Sequence, residues 1–179
     1  MASNVPASTL EVRRLRSVDE AQLEALADVL IDCVEGGASV SFMLPMTRAK
    51  ALAFWRHVAE GVARGERALL VAEDGQGIVG TVQVILAQPE NQPHRADVAK
   101  MLVHRRARRP GAGAALMHAA EREALAEGKT LLVLDTADDT AARLYARLGW
   151  HAVGTIPRYA LLPAGGECAT TYFYRSLTT

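Results

Sequence analysis

The apolar periodicities of the 179 residues predict one α+β domain: a mixed, largely antiparallel sheet with a central parallel strand pair, flanked by helices. Three observations carry this. Strand-sized β-branched runs at 68–72 and 78–86 flank a turn, Glu73-Asp74-Gly75-Gln76-Gly77, with hairpin chemistry. Four stretches repeat apolar residues at helical spacing. A short buried strand at 130–135 returns to the sheet directly after one of those helices, which demands a parallel crossover with the strand at 95–104. The resulting order is β-α-α-β-β-β-α-β-α-β-β, without repeat or linker.

Each element has a local cause. Residues 1–8 are expected as a flexible tail, and 9–16 read as a first strand. Ser17-Val18-Asp19-Glu20 forms a capping box for a helix whose Leu23, Leu26, Leu30 and Cys33 share one stripe, stopped by Glu35-Gly36-Gly37. The loop 38–45 is irregular. A second helix starts near Thr47 and buries Trp55, Val58 and Val62. After a proline-bearing loop, residues 95–104 alternate so that Asp97, Ala99, Met101 and Val103 are expected on one face. A basic glycine loop then opens a helix over 114–127, with Leu116, Met117, Ala120 and Ala124 inward and Gly128 as its stop. The helix at 138–148 ends at Gly149, and strands at 150–154 and 170–175 close the chain.

Composition excludes several functions. Half the residues are hydrophobic, so a chain of this length buries a core without metal or disulfide staples. Lys plus Arg and Asp plus Glu are 20 each, a formal charge of zero, and aromatics are 5%; neither a broad basic face nor stacking platforms for nucleic acid are present. The longest apolar runs fall far short of the roughly 20 residues of a membrane span. The five histidines show no zinc spacing, so no metal is expected. Cys33 and Cys168 read as free thiols in a reducing cytoplasm.

Chemistry concentrates in Arg105-Arg106-Ala107-Arg108-Arg109-Pro110-Gly111-Ala112-Gly113. Glycines permit close approach of backbone to ligand, and the helix start that follows offers unpaired N–H groups and a positive dipole end, which suits a diphosphate. The four arginines add local charge where the whole chain has none. No Gly-Lys-Ser/Thr follows, so this is no P-loop, and the Gly-x-Gly-x-x-Gly dinucleotide fingerprint also fails. A coenzyme A diphosphate remains.

At this point the sequence resembles the GCN5-related N-acetyltransferase (GNAT) family. Arg108-Arg109-Pro110-Gly111-Ala112-Gly113 meets its Arg/Gln-x-x-Gly-x-Gly/Ala signature, and Ala141-Ala142-Arg143-Leu144-Tyr145-Ala146-Arg147-Leu148-Gly149-Trp150 resembles its Ala-x-x-Leu-Tyr stretch. The segments 36–42, 95–103 and Leu134-Asp135-Thr136 resemble the branch that includes the tabtoxin-resistance acetyltransferases. Two departures stand out: Pro110 removes one N–H from the loop, and Asp138 stands where many members carry asparagine.

The resemblance implies a single N-acetyltransferase domain over 1–179, cytoplasmic, using acetyl-CoA on a small-molecule amine, with an antibiotic- or toxin-like amino acid as one candidate. A protein or peptide acceptor and a non-catalytic acyl-CoA-binding module are the alternatives. It implies that acetyl-CoA wedges between two splayed parallel strands, held by Met101, Leu102 and Val103 and by Arg108, Arg109, Gly111, Ala112, Gly113 and Ala114. Asp97 and Asp135 are the candidate bases and ammonium contacts, and Tyr145 is the candidate general acid for the leaving thiolate. An aspartate titrating near 3.9 is a weak base, so a water relay, a raised carboxylate pKa or electrostatic capture of the ammonium would be needed. Phe42, Arg158 and Tyr159 are the further acceptor-side candidates, with Arg158 placed to meet an acceptor carboxylate. A homodimer is a family-level expectation.

Overall fold

A computed structural model describes residues 9–108 and 111–177; Arg109 and Pro110, like residues 1–8, lie outside the described residues. The strands are β1 (Glu11–Leu15), β2 (Arg67–Asp74), β3 (Gly77–Ile85), β4 (Arg95–Val103), β5 (Leu131–Thr136), β6 (His151–Leu161) and β7 (Glu167–Ser176). The helices are α1 (Glu20–Glu35), α2 (Arg48–Ala63), α3 (Ala112–Ala126) and α4 (Asp139–Arg147). One seven-stranded sheet has the order β1-β2-β3-β4-β5-β7-β6, antiparallel throughout except for β4 and β5. No helix among the described residues is long and apolar enough to cross a membrane.

Both faces of the sheet are covered, and strand alternation sends successive residues to opposite cores. Ala68, Leu70 and Ala72 of β2 join Leu116, Met117 and Ala120 of α3, together with Tyr145 of α4. Leu69 and Val71 instead join Leu26, Leu30 and Cys33 of α1 and Trp55 and Val58 of α2. The helix stripes read from the sequence are thus the buried ones. Gly80 marks where α3 presses hardest on β3: an added Cβ would lie 3.0 Å from the Leu102 carbonyl and 3.1 Å from a Leu116 methyl.

Three local expectations need correction. The capping box of α1 belongs to Asp19 and Gln22, not Ser17 and Glu20. Asp19 Oδ1 accepts the Gln22 N–H at 2.8 Å, and Gln22 Oε1 accepts the Asp19 N–H at 2.9 Å. The chain spends two more residues in the turn after β1 than the sequence pattern suggested. The last two strands extend well beyond 150–154 and 170–175, because each pairs along a long edge hairpin. Finally, β4 does not keep one face. Gln83 pairs with Ala99 while Thr81 pairs with Leu102, so β4 holds one extra residue, and Lys100 takes φ 51°. This β-bulge reverses the alternation. Ala96 and Val98 face α3 before it, whereas Leu102 faces α1 and α2 after it, with Met101 and Val103 turned to the α3 side.

Candidate active site

The parallel pair forks. β4 and β5 align at Arg95 with Leu131, Ala96 with Leu132 and Asp97 with Val133, and there the ladder stops. Six more residues of β4 and three of β5 continue without pairing to each other. β4 is held by β3 on its other side and β5 by β7, so neither can close the gap. Backbone N–H and C=O groups facing this fork have no partner across it and are open to a ligand or to water.

Helix α3 starts beside the fork. Gly111, at φ 105°, is its N-cap, with no side-chain cap bond. The first-turn N–H groups of Ala112, Gly113 and Ala114 have no intrahelical partners and sit at the positive dipole end. A Cβ on Gly113 would come within 2.9 Å of Leu144 of α4 and 3.7 Å of Met101 of β4, so glycine is what lets α3, α4 and β4 converge here. The arginines before it behave differently from expectation. Residues Arg105–Ala107 form a 3-10 turn, which aims Arg105 at Asp32 (Nε to Oδ1, 2.7 Å) and Arg106 at Asp74 (2.7 Å). Arg108 donates through Nε to the Val103 carbonyl at 3.1 Å. Arg105 and Arg106 are tied to carboxylates of the fold, and the expected role of Arg109 falls outside the described residues.

Tyr145 lies on the α3 side of the fork, only 5% exposed, with Phe173 edge-on at 5.8 Å and Trp150 at 6.1 Å between ring centroids. Its hydroxyl makes no hydrogen bond among the described residues. Burial first, and then the charges of Asp138 and Asp135, push the phenol well above its ordinary pKa, so it remains protonated at neutral pH. Asp138 itself caps α4, accepting the Ala141 N–H at 2.7 Å.

The carboxylates lie on the opposite side, facing α1 and α2. Asp97 is held in a network: it pairs with Arg95 through one oxygen and accepts from Gln88 Nε2 at 3.0 Å through the other. Asp135 is more open. Thr170 Oγ1 donates to its Oδ2 at 2.7 Å, and among the described residues Oδ1 has no hydrogen-bond partner. Tyr172, opposite Asp135 in the β5–β7 register, shares a 2.8 Å hydroxyl contact with Tyr159, and that bond, with some burial and the charge of Asp135, pushes Tyr172 up to about 12. Phe42 packs edge-on against Phe54 at 5.2 Å. Arg158, at φ 54°, is taken by Glu167 at 3.2 Å on the exposed edge hairpin, so its guanidinium already has a counter-charge.

Sequence reasoning passed over Lys100, Ser41, Thr170 and Tyr172 on this side. A lysine inside the strand run Val98 to Val103 was the available signal for the bulge. The others announce themselves only once β7 and the α1–α2 loop are placed in space.

Residues 65–152, from the lead-in to β2 through the start of β6, match the family model described as an acetyltransferase (GNAT) domain. Over those residues, just under half of the chain, the sequence is similar to a GNAT acetyltransferase domain. The match supports an acyltransferase, and the GNAT fold extends beyond the matched segment. An N-acetyltransferase from Staphylococcus aureus Mu50 superposes with a TM-score of 0.79 at 17% identity, over 96% of this chain and 100% of its own. The Salmonella typhimurium protein yncA, solved with its cofactor acetyl-CoA, gives 0.74 at 17% identity, covering 96% of each chain. A ribosomal-protein-alanine N-acetyltransferase from Brucella melitensis gives 0.76 at 22% identity, over 93% of this chain and 99% of its own. Identities this low show a shared GNAT fold and leave the acceptor open.

Proposed function

We propose that this GNAT domain transfers the acetyl group of acetyl-CoA to the amine of a small molecule. The observation that carries the reading is the fork: a parallel pair that stops at Asp97 and Val133, with a buried phenol on one side and carboxylates on the other. Acetyl-CoA supplies an activated thioester, whose carbonyl carbon exchanges its C–S bond for a C–N bond. The glycine cradle and the unpaired strand edges fit it. The amides of Gly111, Ala112, Gly113 and Ala114 would hold the pyrophosphate, and the main chain of Met101, Leu102 and Val103 the pantetheine arm. Arg108 and Arg109 remain secondary contacts in this assignment.

An aliphatic ammonium must lose a proton before its lone pair can attack. Asp135, with one oxygen oriented by Thr170 and the other unpaired, draws the ammonium in and receives that proton directly or through water. Asp97, with one oxygen engaged by Arg95 and the other by Gln88, orients Gln88 and contributes field rather than proton transfer. Tyr145 keeps its proton until the thiolate leaves, and then donates it.

A small acceptor is favoured by the strap over the carboxylate side. The Leu44 N–H donates to the Pro163 carbonyl at 3.0 Å, and Cys168 Sγ reaches Ser39 Oγ at 3.5 Å, so the α1–α2 loop is fastened to the β6–β7 hairpin. An extended polypeptide would have to part these contacts. The free thiols and the absence of a membrane-crossing helix among the described residues suit a cytoplasmic enzyme, and an amino-acid-like toxin is one candidate acceptor. Edge strand β6 leaves Val153 69% and Leu161 52% exposed, which supports a homodimer formed by two such edges. Thiol release from acetyl-CoA across a panel of amines tests the reading: turnover is expected with small free amines, and tight acetyl-CoA binding with no turnover across the panel would replace it with a binding module.

A further inference from the structure

Three non-glycine residues among those described adopt positive φ, namely Ser41, Lys100 and Arg158, and two of them touch: Lys100 Nζ donates to Ser41 Oγ at 3.1 Å. Left-handed backbone is disfavoured for both residue types, and such strain persists where the surroundings enforce it. Here the bulge of β4 and the α1–α2 loop each hold a strained residue, and the product is a lysine directed across the carboxylate side of the fork. Its ammonium lies 6.0 Å from the Phe54 ring centroid. Desolvation lowers its pKa, and the charge of Asp135, on the same side of the sheet, opposes that shift.

The charge inventory of that side is uneven. Asp97 is neutralised by Arg95, and Arg158 by Glu167. Among the described residues Lys100 has no ion-pair partner within 4 Å, and Asp135 Oδ1 has no donor. One cation and one anion, each with unused bonding capacity, remain on the same side. We infer that Lys100 sets acceptor specificity by binding a carboxylate, so that the acceptor is a zwitterion, an amino acid or close analogue, whose amine meets Asp135. This rests on the acetyltransferase reading above. A plain amine would leave the half-buried ammonium repelling it, and a polyamine would do so twice over. A peptide N-terminus carries no carboxylate beside its amine and leaves Lys100 equally unmatched. A zwitterion satisfies both groups together.

The test presents each acceptor to the full chain, with acetyl-CoA, as the free amino acid and as its carboxamide. The readout is the ratio of the two kcat/KM values. In the wild type the free acid is preferred by at least about tenfold, the worth of one charge-assisted hydrogen bond. Lys100→Met brings the ratio towards one, chiefly through the acceptor KM; Lys100→Arg retains the preference; and Lys100→Glu reverses it. A wild-type enzyme that takes carboxamides as well as acids, or a ratio unmoved by Lys100→Met, would overturn this inference while leaving N-acetyltransfer intact. Failure to acetylate any member of either series would remove the acetyltransferase reading and this inference with it.

Discussion

Replacing Tyr145 by phenylalanine removes one oxygen and tests the proposed proton donor with little structural disturbance. The ring keeps its contacts with Phe173 and Trp150, and the hydroxyl has no hydrogen-bond partner among the described residues. Loss of a hydroxyl with no protein hydrogen-bond partner costs little stability, so the melting temperature should stay within about 2 °C, a shift below roughly 1 kcal/mol for a chain of this size. General-acid catalysis is worth about 10²- to 10⁴-fold. A thiolate leaves readily, so the lower part of that range applies, near 10²-fold in kcat or about 2.7 kcal/mol of activation free energy. Stopped-flow thiol release reads this directly. The phenol also links stability to pH. Its folded pKa lies above its unfolded value near 10, so its contribution is complete below about pH 10 and lost as pH rises beyond. The alkaline decline in melting temperature should therefore be smaller in Tyr145→Phe. A kcat within twofold of wild type, in protein that melts normally, would refute the role given to Tyr145.

Asp32 anchors the turn leading to the glycine loop. Burial alone would raise its pKa, but the Arg105 N–H and guanidinium, with His104 nearby, hold it below the usual carboxylate range. Its contribution is present above the unfolded value near 3.9 and fades as pH falls below that; Asp32→Asn should cost about 1–3 kcal/mol at neutral pH and flatten this acid limb in thermal melts. Gly113→Val places bulk against Leu144 and Met101, and should raise the acetyl-CoA KM at least about tenfold with the fold retained by circular dichroism. Paired Val153→Asp and Ile156→Asp changes on β6 should shift sedimentation from dimer to monomer; an unchanged sedimentation coefficient would place the dimer contact elsewhere or remove it.

The fold was legible because its signals are local. Alternation and helical spacing placed every strand and helix, Gly36, Gly128 and Gly149 marked helix ends, and the crossover rule alone gave the parallel pair. The glycine-bearing start of α3 was legible for the same reason: Gly111 and Gly113 sit at a helix start whatever the tertiary context. What escaped depends on partners distant in sequence. Arg105 looks like a phosphate ligand until α1 brings Asp32 against it, 73 residues away. Arg158 looks free until the hairpin brings Glu167 across. The bulge at Lys100 is a mismatch between β3 and β4, visible only when both are in register, and it turned a single expected face into two. That mismatch also placed a lysine on the carboxylate side.

A main-chain grip on the diphosphate of the acyl donor underlies the proposed chemistry, and calorimetry that compares acetyl-CoA with acetyl-pantetheine tests it most directly. Both carry the thioester and the arm that enters the fork, and only the first carries the pyrophosphate for the amides of Gly111 to Ala114. Acetyl-CoA should bind one per chain and at least about 100-fold more tightly, the worth of two charge-assisted hydrogen bonds. Equal affinities, or no heat from acetyl-CoA in folded protein, would contradict it.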